Sequence, residues 1–263
     1  MRLDYRRRPV RIGLPIITAL IVIALWEVLA IADIIPQRFA ASPSQIITQL
    51  VKMVGGSALW TAIGATLYAW IQALFIAILI GTVAGLIIGS SRYIAAFFKP
   101  IIEFLKPIPS IAMIPLVIIA MGSGKSSEVF LAAYAAVFQM LMAAISAVGT
   151  IDPVARDTAS AYSFGFWARL RYLVVPSMLP QLLTGVRIAS NTALIFCITA
   201  ELLVGMEGLG QSLGQAGAAA NLPVMYSYIV IIGIVGLGLN MLLLAIQKLL
   251  LSWHESYRNE VTA

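Results

Sequence analysis

The chain has 263 residues, of which 61% are hydrophobic and 11% charged, with a formal net charge of +6 and a mean hydropathy of +0.97. An average soluble domain is about 25% charged, so this chain has too little charge to cover a water-soluble body of its size. Its 20 Gly and 12 Pro follow no short period and it has one Cys, which excludes collagen and disulfide scaffolds and leaves a polytopic membrane protein.

A membrane helix needs about 20 mainly apolar residues to cross about 30 Å of hydrocarbon. After the basic segment Arg2, Arg6, Arg7, Arg8, Arg11, the run Leu14 to Ala32 carries one acid, Glu27, and predicts a first span near 14–33. Arg6-Arg7-Arg8 with Ala30-Ile31-Ala32 mimics an export signal. The run is span-length and five more follow, so an uncleaved helix is predicted. Met53 to Ser91 is 39 residues without charge and predicts a second span near 59–89. Within it Gly81, Gly85 and Gly89 form a doubled G-x-x-x-G face for close packing inside the subunit.

Lys99, Glu103 and Lys106 fall at i, i+4 and i+7 and predict an interfacial charge cluster at the base of a third span, near 101–122. Pro107, Pro109 and Pro115 interrupt that helix. Broken backbone at depth requires protein or water around it, so the third span is expected in the interior, with Pro109 and Met113 beside a pathway. Gly122-Ser123-Gly124-Lys125-Ser126 mimics a phosphate loop, but Ile119 stands where the pattern needs glycine.

Val129 to Ile151 predicts a fourth span near 128–149, and a fifth near 182–205 contains Arg187 and Glu201. These two lie fourteen residues apart, about 21 Å along a helix, and share a face without meeting. Charges inside a bilayer are functional candidates by default. Arg187 either snorkels to the inner surface or serves packing and gating, and Glu201 is expected near the outer mouth. With Asn191, Thr192 and Thr199 between them, this is the most polar span and the candidate pathway lining. The segment from Gly208 to Pro223 is rich in Gly, Gln and Ala and predicts a loop or re-entrant piece before a last span near 226–250. Cys197 and His254 are single, too few for a metal site or a nucleophilic triad, and His254 reads as an interfacial residue beside Trp253 and Glu255.

With six spans and both ends inside, thirteen Lys and Arg fall on inner segments and three on outer ones, Arg38, Lys52 and Lys125. The basic balance is a topology signal, and a nucleic-acid partner has no support. The inner loop from Thr150 to Pro180 is about thirty residues where a few would suffice. Asp152 offers an N-cap and Pro153 the first helical position, predicting a helix within 152–168. Ala155, Thr158, Ala159 and Tyr162 then share one face. Such a helix lies on the inner leaflet or against a protein partner, and a face of Ala and Thr suits the partner better.

Several of these residues carry a family resemblance. Asp157-Thr158-Ala159 with Ser163 six positions on, Trp167, and Leu173-Val174-Val175-Pro176 resemble the cytoplasmic E-A-A…G loop of ABC-importer permeases. Pro176 to Pro180, Leu183-Thr184-Gly185-Val186-Arg187, Ala200-Glu201-Leu202-Leu203 and Gly208-Leu209-Gly210 resemble the binding-protein-dependent permeases for nitrate, sulfonates, taurine and bicarbonate. Lys106-Pro107-Ile108-Pro109 and Ile114-Pro115-Leu116 match that group's third span. Asp157 stands in place of the usual Glu and Ser163 in place of the usual glycine, with Gly165 nearby.

The resemblance implies an all-α type I importer permease: one transmembrane domain over 1–263, a basic cytoplasmic N-terminus at 1–11, a coupling helix at 152–168 and a cytoplasmic tail at 251–263. It implies a place in the bacterial inner membrane and a pathway for a small anionic solute. No cofactor or catalytic activity belongs to the chain itself. The implied partners are two cytoplasmic ATP-binding subunits, a second permease copy forming a homodimer, and an external solute-binding protein. Asp157, Thr158, Ala159, Ser163 and Gly165 would couple to the ATPase. The competing class is an ion-coupled secondary transporter using Glu27, Glu103 and Glu201, which usually has inverted repeats that are not found here. An intramembrane enzyme is disfavoured by the lack of clustered nucleophiles or metal ligands.

Overall fold

The computed structural model describes residues 8–34, 36, 39–106 and 108–252, with side chains from Gly13 onward. Arg2, Arg6, Arg7, Arg38, Pro107, Trp253, His254, Glu255 and Arg258 lie outside the described residues, as does most of the tail at 251–263. The helices in chain order are α1 (Arg8–Ile31), α2 (Pro43–Val54), α3 (Ser57–Ser90), α4 (Arg92–Leu105), α5 (Ile114–Met121), α6 (Lys125–Val148), α7 (Pro153–Ala161), α8 (Phe166–Arg169), α9 (Val175–Val204), α10 (Leu209–Ala218) and α11 (Leu222–Leu250). Five helical segments are long and apolar enough to cross a membrane, and the bent pair Arg92–Leu105 and Ser110–Met121 makes a sixth. The expected all-helical, six-span architecture is borne out.

At the centre lie α3, α6 and α9, each pair in direct contact. Lipid tails are as apolar as leucine, so these helices gain little by hiding apolar side chains from one another. Close approach of backbones does the work instead. The seam is accordingly built of small residues, all fully buried: Ala69, Ala73 and Ala77 from α3, Ala132 and Ala136 from α6, and Ala189, Ala193 and Cys197 from α9. A Cβ added at Gly81 would come within 2.7 Å of the Met140 Cβ, and one at Gly85 within 2.6 Å of both the Ala144 Cβ and the Leu141 carbonyl oxygen. The G-x-x-x-G face is thus used inside the subunit, against α6. Midway along the seam a polar tie joins α3 to α9, from the Trp70 indole N–H to the Ser190 carbonyl at 3.1 Å.

The helices around this seam contribute fewer contacts. Most of α1 is exposed, and Glu27, which the sequence left without a partner, accepts from the Ser44 amide at 3.0 Å and the Ser44 hydroxyl at 2.8 Å. The carboxylate therefore sits at the positive end of α2. That helix opens with a reciprocal Ser42–Gln45 capping box and Pro43 in its first turn. It was not foreseen, because twelve amphipathic residues are too few to cross a bilayer.

The third span differs most from expectation. Its helical path begins at Arg92, not at 101, and turns by 74° between α4 and α5. The Tyr134 hydroxyl donates to the Leu105 carbonyl at 3.3 Å, and Tyr134 lies nine residues into α6, about 14 Å from that helix's start. The charge cluster is therefore not at the base of the span. Lys99 and Glu103 pair along α4 at 3.9 Å, and Lys106 sits at the break, about halfway through the bundle. The proline pattern did mark the interruption; the charges misplaced where the span begins.

The seam predicts an asymmetry between two glycines of one helix. Gly85→Leu should destabilise the bundle by about 1–3 kcal/mol through overpacking. Gly64→Ala, where an added methyl meets nothing within 4 Å, should cost nothing. Thermal unfolding of the two variants in detergent checks this, and equal melting temperatures would refute the seam.

Candidate functional site

Two regions hold most of the candidate residues, at opposite ends of α9. The first is the loop between α6 and α9. Asp152 is the N-cap of α7, and its carboxylate accepts from the Val154 amide at 2.8 Å. On this helix Asp157 and Thr158 are exposed, whereas Ala159 is buried, at 6%, on the side packed towards residues 170–174. Of the face formed by Ala155, Thr158, Ala159 and Tyr162, Ala159 is the residue buried, while Thr158 and Tyr162, with Asp157, are offered outwards. Around it Tyr162, Phe166, Trp167 and Tyr172 are strongly exposed.

The end of α7 explains the position held by Ser163. The Ser163 amide donates to Ser160 O and the Phe164 amide to Ala159 O, both at 2.9 Å. These two bonds close the helix in the arrangement that needs a left-handed residue between them. Ser163 takes that conformation, with φ 53°, where a glycine would pay no steric cost. Gly165 has an ordinary negative φ and opens α8. Arg169 then ties α8 back to α7 through the Ser160 hydroxyl at 3.0 Å.

At the other end of α9, Glu201 is completely buried. Its Oε1 accepts from the Thr66 hydroxyl at 2.7 Å and its Oε2 from the Gly210 amide at 2.8 Å, while the Leu209 amide donates to the Thr66 hydroxyl at 2.9 Å. The first two N–H groups of α10 would otherwise lack partners. Here Thr66 and Glu201 take them, with the carboxylate at the helix's positive end. Glycine at 208 and 210 leaves the room: a Cβ at Gly208 would overlap the Glu201 carboxylate, and one at Gly210 would run into the Ile198 carbonyl. The Ala-Glu-Leu-Leu and Gly-Leu-Gly segments form one latch that holds α10 in the bundle.

Glu128 of α6, also fully buried, interacts with Glu201, and neither of its oxygens has a partner in hydrogen-bond geometry. Sequence reasoning missed both Glu128 and Thr66. Glu128 reads as the polar edge of a span beside Lys125, Ser126 and Ser127, and Thr66 is one of several hydroxyls, with Thr61 and Tyr68, in an otherwise apolar run. The carboxylates that an ion-coupled transporter would use are engaged separately: Glu27 by Ser44, Glu103 by Lys99, and Glu201 by the latch.

Of the other candidates, Asn191 is exposed and Arg187, Thr192 and Thr199 are half-buried on α9. The Thr192 and Thr199 hydroxyls donate back to Ile188 O and Ile195 O in their own helix. Pro109 and Thr192 line one cavity at the break in the third span. Met113 packs instead with Val117, Leu131 and Met206, near the latch.

A helical bundle of this kind, with one broken span and a capped helix held out on a long loop, is the membrane domain of a transport system. Residues 77–253 match the model of the binding-protein-dependent transport system inner membrane component family, and the chain belongs to that family. It is 29% identical over 249 residues to the taurine transport system permease protein TauC of Escherichia coli (strain K12), covering 93% of this chain and 90% of that one. A putative aliphatic sulfonates transport permease protein, SsuC of Bacillus subtilis (strain 168), is 21% identical over 90% of this chain and 86% of its own length. The riboflavin transport system permease protein RibX of Chloroflexus aurantiacus is 25% identical over 93% and 91%. Among solved structures, the fold matches inward-facing MetNI methionine ABC transporter with a TM-score of 0.65 and 20% identity, covering 73% of this chain and 95% of that one. The family read from the sequence motifs is the family found. The chain is a multi-pass inner-membrane permease subunit of a binding-protein-dependent ABC importer, which implies ATP-binding subunits and a binding protein as partners.

Two measurements test this geometry. Glu201→Ala removes the acceptor of a buried amide, a loss of about 1–3 kcal/mol, so hydrogen exchange across 205–218 should speed up severalfold or more, with Thr66→Val acting in the same direction. Unchanged protection would mean that the latch does not hold α10. Ser163→Gly should stabilise the loop by about 1 kcal/mol, read as slower exchange over 158–166.

Proposed function

We propose that this permease passes a small anionic solute, of the sulfonate, nitrate or bicarbonate kind, from a binding protein to the cytoplasm. In this reading two copies of the chain form the pathway and two ATP-binding subunits drive it. Both termini and the α6–α9 loop are cytoplasmic, and α2 and α10 are at the outer end. The transmembrane domain extends over the chain, with 1–11 and 251–263 as cytoplasmic ends.

One observation carries the coupling: α7 is a capped helix on a long loop, seated through Ala159, with Asp157 and Thr158 exposed beside exposed aromatic rings. Exposed aromatic side chains grouped around a short helix suit burial against another protein. The basic residues favour the same side as cytoplasmic, with Arg92, Arg156, Arg169, Arg171 and Lys248 towards the loop end of the bundle. Relatives named for taurine and aliphatic sulfonates favour an anionic solute.

Asp157→Lys tests this. The reversed charge lies on the exposed side of α7, so it should leave the bundle folded and cost docking several kcal/mol, as close charge reversals at interfaces do. In proteoliposomes holding the permease, its ATP-binding subunits and its binding protein, stimulation of ATP hydrolysis by loaded binding protein should fall about tenfold together with uptake. A variant that assembles and transports as the parent does would remove α7 from the coupling role.

A further inference from the structure

Beside the break in the third span lies a cavity of about 270 Å³, lined by Lys106, Ser110, Tyr134, Gln139, Thr192 and Phe196 among others. Its depth follows from two helices. Tyr134 is about 14 Å from the start of α6 and Thr192 about 18 Å from the end of α9, at 1.5 Å per residue, and both of those ends lie at the α10 side of the bundle. For hydrocarbon about 30 Å thick, the cavity is at mid-depth.

Lys106 is the one charged residue among the described residues that line it. The nearest acid on its helix, Glu103, is already paired with Lys99. An ammonium at the midplane is costly and persists where a water-filled path or a ligand compensates it, and half a bilayer is too far for the side chain to snorkel. Two of the neighbouring hydroxyls are engaged elsewhere, Tyr134 donating to Leu105 O and Thr192 to Ile188 O, which leaves the ammonium as the charged attractive group, with the Ser110 hydroxyl and the Gln139 amide beside it. The break itself supplies the exposure: α4 stops at Leu105, and the chain turns before helix resumes past Pro109.

We propose that Lys106 is the anion-contacting residue of the translocation pathway, meeting a small oxyanion at mid-depth with the Gln139 amide alongside. The inference rests on the anionic-solute reading above. A cavity of about 270 Å³ has room for a sulfonate, nitrate or bicarbonate. A single cation, not a cluster, also suits a transit site, which must release what it attracts.

The test is uptake of methanesulfonate, taurine, nitrate, bicarbonate and riboflavin by the complete importer in proteoliposomes. Lys106→Met should lower uptake of the transported anion at least about tenfold, and Lys106→Arg should stay within about threefold of the parent. Lys106→Cys should regain anion uptake after modification by a cationic methanethiosulfonate and not by an anionic one; Cys197, the native thiol, is buried and out of reach. Lys106→Met with parental uptake of an anion overturns the role of Lys106 and leaves the anionic-solute reading standing. Equal rescue by both reagents, or by neither, overturns it as well and keeps the test decisive if Lys106→Met fails to assemble. A parent importer that carries riboflavin alone, or none of the anions, overturns the anionic-solute reading and the Lys106 assignment with it.

Discussion

The structure depends on the close approach of α3, α6 and α9. In water a three-helix core is driven together by the removal of apolar surface from solvent, but in lipid that drive is nearly absent between apolar faces. What remains is dispersion between well-fitted surfaces, and this requires residues small enough for backbones to touch. The alanine and glycine rows on the three helices meet that requirement. Once they are in contact, the remaining polar side chains have few choices of partner. Glu201 on α9 and Thr66 on α3 are brought together because their helices are, and the pair then becomes the seat for α10.

What the sequence made legible follows the same physics. The first, second, fourth, fifth and sixth spans could be read because continuous apolar length is what a bilayer demands. The cap of α7 could be read because Asp152-Pro153 is a local signal needing nothing from the rest of the fold. The third span could not be placed by the same rule. Its first half carries Arg92, Lys99 and Glu103 within fourteen residues, so counting apolar length started it too late. Short helices α2 and α10 escaped because neither is long enough to cross hydrocarbon, and both are held by side chains distant in sequence. The role of Glu201 was hidden for that reason. Its hydroxyl partner is 135 residues away, and α9 read alone gives its place near one end of the span but not the buried latch it forms.

The broken third span links the packing to the transport reading. An unbroken helix from Arg92 to Met121 would satisfy its own backbone and present side chains alone. The turn after Leu105 instead keeps a local bond from the Ile108 amide to the Leu105 carbonyl at 3.1 Å, and Tyr134 of α6 donates to the same carbonyl. Irregular backbone at this depth survives only against protein or water. The same break that needs such surroundings exposes Lys106 to them, so the interruption and the mid-depth charge are two results of one proline-rich segment.

The last constraint concerns α9, which joins the two ends. Helical structure runs without interruption from Phe166 through Val204, first as α8, then as a π-helical turn over Leu170–Val174, then as α9. At one end Arg169 holds α7 through Ser160, and at the other Glu201 holds α10. A displacement of α7 therefore either carries this rod with it or bends it. The bend has a defined place, because the π turn and Pro176 already break the regular hydrogen-bond ladder there. Beyond that point α9 is locked into the alanine seam by Ala189, Ala193 and Cys197, where tight packing resists continuous deformation. The π turn is therefore the place on this rod where a bend costs least, and the seam beyond it is the part that resists one.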